Sequence, residues 1–176
     1  MIGLGTDENF YLLDMIRDRL SLTERADALF NLHRKWRPRG VGFERYGMLS
    51  DIEYFRERMR MENHRFDIVE LGGKLAKNDR IRRLIPIFEE GRFYLPEQLW
   101  KVNLEGRRQE LVSIFLDEEF RTFPVSHHDD MLDAFSRILD VEMNTSWPRG
   151  GGARDTKRDR YVLRRRRARN YSCWAA

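Results

Sequence analysis

The sequence predicts an α/β domain with a mixed sheet. Two observations carry this. Short apolar stretches with strand character alternate with segments of helical periodicity, and turn residues separate them. The 176 residues are 41% hydrophobic and 12% aromatic, enough for a core in one domain of ordinary size.

The elements follow in order. MIGLGTDENFYLLD reads as a hairpin, two apolar stretches around the turn chemistry of Gly5 to Asn9. SLTERADALFNLHRKW reads as a helix. Ser21 stands at the N-cap and Glu24 completes a capping-box pattern, while Leu22, Ala26, Leu29 and Phe30 keep helical spacing. Pro38 and Gly40 end it, and VGFERYG is a short strand. LSDIEYFRERMRM, from Leu49 to Met61, is a second helix. FDIVELG, from Phe66, has a continuous apolar centre, which predicts a strand buried on both faces. NDRIRRLIPIFEEG is a helix that Pro86 should kink or break, and RFYLP is a short strand. RRQELVSIFLDEEFRTF and HDDMLDAFSRILDVEM complete the body as two helices, the second with an apolar face of Met131, Leu132, Phe135, Ile138 and Leu139.

Charge is distributed unevenly. From Met143 onward ten Lys/Arg face two Asp/Glu, a balance of +8. That leaves 23 basic and 27 acidic residues before it, a balance of −4, in a chain of net charge +4. A body over residues 1–142 and a basic, disordered tail over 143–176 are therefore expected. A basic tail suits either a polyanion partner such as nucleic acid or a solvated end. Cys173 is the one cysteine, so no disulfide forms within the chain. No signal-peptide pattern and no apolar run long enough for a membrane span are present. The expectation is a soluble intracellular protein. Gly72 to Lys74 lacks the spacing of a P-loop, and no other nucleotide fingerprint occurs.

The chemistry concentrates in acids. Glu44 lies near the end of a predicted strand, where a carboxylate needs a cation, a partner or solvent. Asp129, Asp130 and Asp133 open the last predicted helix, with Asp129 and Asp133 four apart on one face. Acids there also suit the helix dipole and cap. His127 and His128 precede them; without a companion cysteine pair, a phosphate-orienting role suits them better than structural zinc. Hard divalent cations take carboxylate oxygens, and two of them about 3.5–4 Å apart support phosphodiester hydrolysis. Lys74, Lys77, Arg80, Arg82 and Arg83 form a basic group suited to phosphate contacts or to a solvated helix face.

Taken together and in order, FYLLDMIRDRLS, KWRPRGVGFERYG, KNDRIRRLIPIFEEGRFYLP, ELVSIFLDEEFRTFP and HHDDMLDAFSRI resemble the C-terminal nuclease domain of phage terminase large subunits, from about Phe10 to Val141. The resemblance implies a ribonuclease-H-like fold, a mixed sheet flanked by helices. It also implies a DNA endonuclease that uses two Mg²⁺ or Mn²⁺ ions to cut concatemeric viral DNA during genome packaging in the host cytoplasm. Glu44 matches the acid on the strand after the first helix. Asp129 and Asp130 match the acidic pair of the late helix, with Asp130 preferred as direct ligand, and Asp133 matches a supporting acid one turn on. Double-stranded DNA, a portal, a small terminase subunit and an ATPase domain encoded upstream are the implied partners. The family's first-strand Asp lies upstream of the hairpin, so the first strand is expected to be missing here; Asp7 and Asp14 do not replace it. A non-catalytic fragment that binds DNA or packaging partners is the alternative. A junction-resolving nuclease on the same fold is a third reading.

Overall fold

The computed structural model describes residues 1–44, 49–73 and 75–149. β1 (Ile2–Leu4) and β2 (Phe10–Leu12) form the expected antiparallel hairpin, and β2 also pairs in parallel with a later strand. α1 (Leu22–Trp36) begins at a complete capping box. The Ser21 hydroxyl accepts from the Glu24 amide, and the Glu24 carboxylate accepts from the Ser21 amide. A cap of this kind contributes about 1 kcal/mol. The helix stops where Arg37 adopts a left-handed conformation just before Pro38.

β3 (Val41–Glu44) and β4 (Ile68–Leu71) pair in parallel, joined by α2 (Leu49–Met61). α1 and α2 are tied by the Arg25 guanidinium, which donates to the buried Asp51 carboxylate at 2.8 Å. Phe30, Ile52, Phe55 and Met59 are buried around this unit, with Phe43 edge-on to Phe55 and Phe66 edge-on to Phe30.

α3 (Lys77–Arg82) and α4 (Ile85–Glu89) are the two halves of the helix that Pro86 breaks; Pro86 sits in the first turn of α4, where its missing N–H is harmless. β5 (Phe93–Tyr94) completes the first sheet in the order β1-β2-β5. β6 (Trp100–Val102) and β7 (Arg108–Glu110) make a separate hairpin. α5 (Leu111–Ile114) runs into a π-helical stretch over Phe115–Phe120, and α6 (Asp130–Ser136) continues as short 3₁₀ turns to Met143. The larger core gathers Phe10, Leu12, Phe93, Ile81, Phe88, Leu111, Phe115, Leu132 and Phe135.

Four expectations are corrected. Arg108–Glu110 is a strand, not the start of a helix, because Glu110 turns its carboxylate onto the Val112 and Ser113 amides and caps α5 there. The last helix is shorter than 128–143, ending at Ser136 before the 3₁₀ turns. β4 is not buried on both faces: Glu70 is exposed, and only Leu71 is fully buried. The α/β class holds, but among the described residues the strands form three small sheets rather than one mixed sheet. Trp147, within the expected tail, packs edge-on against Phe10 with ring centroids 5.0 Å apart. Residues 150–176 and Arg45–Met48 lie outside the described residues.

Candidate functional site: an acidic wall closed by ion pairs

The acids singled out in the sequence lie in neighbouring sets of ion pairs, which take in most of the predicted phosphate-binding cations. α3 packs along α6, which sets the basic residues of one against the acids of the other. Lys77 reaches both Asp129, at 2.5 Å, and Asp130, at 2.9 Å. Burial opposes the Lys77 ammonium, yet these two carboxylates hold its pKa above the ordinary lysine value. Asp130 in turn is held below the ordinary carboxylate range, first by Lys77.

Arg80 makes the best-formed pair. Its Nε and Nη2 donate to the two oxygens of Asp133 at 2.9 and 2.7 Å. Both side chains are about nine-tenths covered, at 11% and 12% exposure. Such a bidentate pair is directional as well as charged. The Asp133 contact raises the Arg80 pKa, and the charges of Glu44 and Asp140 add to it. Glu44, at the end of β3, is therefore close enough to share this field. It is paired with Arg137, which donates to Glu44 and also to Asp140. Arg83 closes the set on Asp140 at 2.5 Å.

Glu44, Asp129, Asp130 and Asp133 are thus each matched to a cation of this chain, in three sets of ion pairs among the described residues. Among the described residues no three His, Cys, Asp or Glu side chains converge into a cluster able to hold a metal ion. The arrangement does not fit a two-ion site as it stands. Lys77, Arg80 and Arg83 are engaged with carboxylates, and so is Arg82, which is exposed and paired with Asp79. Lys74 lies outside the described residues. His127 and His128 are exposed.

Three further acids were not singled out from the sequence as part of a site. Asp140 joins Arg83 and Arg137; its signal was the Arg137 to Asp140 spacing of one helical turn. Glu119 is fully buried and accepts from the Met131 and Leu132 amides at 2.9 and 3.0 Å. It does for α6 what Asp129 was expected to do: the Asp129 side chain makes no cap bond. Burial pushes the Glu119 pKa up despite those two amides, and its other oxygen is buried without a partner among the described residues. Asp14, also buried, shows the opposite. Burial alone would raise it, but Lys101 and Lys35, with the Trp36 indole, hold it far below the ordinary range.

No protein-family model, curated protein sequence or solved structure matches this chain.

Proposed function

We propose that this chain is a module of the viral genome-packaging terminase kind that, acting alone, binds DNA and does not cut it. The observation that carries this reading is the closed acidic wall. Glu44, Asp129, Asp130 and Asp133 each face an internal cation, so a divalent ion would compete with Lys77, Arg80 and Arg137 for their carboxylates. DNA affinity then rests on the basic segment after Met143, with its balance of +8.

A specific observation favours a second reading, the metal-dependent endonuclease. Arg80, which holds the α6 acid Asp133, also feels the charge of the strand-end Glu44, despite a separation of more than eighty residues in sequence. A cutting site needs its carboxylates near one another, and this proximity supports the reading.

One experiment separates the two. The full chain is incubated with supercoiled plasmid and Mg²⁺ or Mn²⁺, beside Glu44→Ala and Asp130→Ala. The binding reading expects no cleavage, together with plasmid retardation that falls steeply with salt. Cleavage by the parent that both variants lose overturns it in favour of the endonuclease.

A further inference from the structure

α1 and α2 end side by side, and a histidine stands at each end. His33 is in the last turn of α1. Arg37 closes that turn in a left-handed conformation, its amide donating to the His33 carbonyl at 2.8 Å. His64 follows α2. Asn63 is left-handed there, and the His64 amide donates back to the Met59 carbonyl at 3.1 Å. Left-handed residues of this kind end helices in a defined geometry.

The two imidazoles meet. His33 Nδ1 and His64 Nε2 are 2.9 Å apart, with the ring planes at 76°. Aromatic neighbours hold both rings. His33 stacks on Phe66 with centroids 4.1 Å apart, and His64 lies against Phe66 and the fully buried Phe30. Side chains locked by packing make a pre-formed ligand pair. Burial, and then the charge of His64, holds the His33 pKa below its ordinary value, which favours the neutral imidazole that binds metals.

Distance decides the kind of ion. An imidazole nitrogen lies about 2.0–2.1 Å from Zn²⁺ and from ions of its size. Two nitrogens 2.9 Å apart then subtend roughly 90° at the ion. That is the angle between neighbouring ligands in square-planar or octahedral coordination, which suits Cu²⁺ and Ni²⁺. A tetrahedral Zn²⁺ site needs its nitrogens about 3.3 Å apart. Mg²⁺ takes oxygen ligands instead. The helix ends favour a cation too, because the negative ends of the α1 and α2 dipoles lie here. Arg34 and Arg58, over the Phe30 ring, are balanced by Glu62 and Asp27.

We propose that His33 and His64 form a two-histidine site for a divalent transition-metal ion, Cu²⁺ or Ni²⁺, that clips the end of α1 to the end of α2. One nitrogen of the pair carries the proton of their hydrogen bond. On binding, that proton moves to the far nitrogen of the same ring and both lone pairs turn to the ion, so no net proton is released. The other coordination positions fall to water or to a further ligand on the side of the cleft between β1 and β3, which His33 also lines. The site shares no residue with the ion pairs of α3 and α6, and it holds whether the chain binds DNA or cuts it.

Calorimetric titration of the full chain with NiCl₂ tests it. His33→Gln, His64→Gln and the double variant His127→Gln/His128→Gln, which removes the other two histidines, are titrated beside the parent. The expected result is Ni²⁺ binding whose affinity falls by about tenfold or more in each single variant and is unchanged in the double variant. An excess of Mg²⁺ does not displace the ion. A second measurement needs no variant: in NMR spectra of the parent, Ni²⁺ below one equivalent broadens the His33 and His64 ring signals before those of His127 and His128. A parent that binds no Ni²⁺ overturns the proposal. So does an affinity that survives both single variants, an ion that Mg²⁺ displaces, or broadening confined to His127 and His128, which would make that adjacent pair the ligand.

Discussion

The α3–α6 face and the β1–β3 cleft treat their polar groups in opposite ways. On the face, Lys77, Arg80, Arg83 and Arg137 are all matched to carboxylates, so strong charges cancel within the fold. In the cleft of about 740 Å³ that β1 and β3 line, the main-chain groups of Ile2 and Leu4 point away from β2, and Arg37, Arg39, Asp67 and Glu142 form no ion pairs among the described residues. A charge-rich segment is thus no guide to a binding surface until its partners are known. On the face the charges are balanced within the fold; among the described residues of the cleft they are not.

The largest effect that tests this contrast is on the face. Arg80→Ala leaves Asp133 nearly buried and unpaired, which costs about 3–5 kcal/mol for a buried pair. Urea unfolding measures it, and a loss below about 1 kcal/mol would mean the pair is merely a surface contact. Next comes Glu119→Ala, which strips two buried amides of their acceptor and costs about 2 kcal/mol. Glu119→Gln keeps an acceptor and costs less. Its pH dependence has a definite sign. Glu119 titrates above its ordinary value in the folded chain, so its contribution is fully present below that value and is lost as pH rises through the raised pKa. The stability of Glu119→Gln relative to the parent is therefore expected to improve from about pH 4 to pH 7 in parallel thermal melts. A flat difference would show that the two amides fully offset burial.

A smaller effect probes the cleft side. A Cβ on Gly42 would stand 2.5 Å from Leu71 Cδ1 and 2.7 Å from Met143 Sδ. Gly42→Ala is expected to lose about 1–2 kcal/mol by overpacking, read as a lower melting temperature. The smallest effect belongs to the exposed end of the face. Lys77→Ala removes a partly exposed contact and should shift stability by less than about 1 kcal/mol. If Lys77→Ala also allows Mn²⁺ to raise the melting temperature, the acidic wall becomes a metal site once opened, and the contrast between closed face and open cleft would need redrawing.

Legibility in the sequence followed locality. The capping box of Ser21 and Glu24, the break at Pro86 and the turn between β1 and β2 are short-range devices, and each stands where the residues placed it. The β6–β7 hairpin was missed because Arg108–Glu110 carries no apolar alternation, and its strand state comes from pairing with Trp100–Val102. Glu119 was missed because the π-helical stretch breaks the 3.6-residue period on which face assignments rest. The candidate site was half legible. Acid and base groups could each be recognised, but not that Lys77 and Arg80 would turn toward Asp129, Asp130 and Asp133.

The sequence by itself determined the α/β class, the order of most elements, the acidic body and the basic end. Those properties depend on composition, periodicity and residues a few positions apart. Only the tertiary structure decided which carboxylate meets which cation, and that β1 and β3 line one cleft. Both depend on packing between segments about forty or more residues apart, as with Arg80 and Asp133, or β1 and β3. No local pattern encodes such a meeting, because its energy exists only once the helices and strands that carry the groups have packed together.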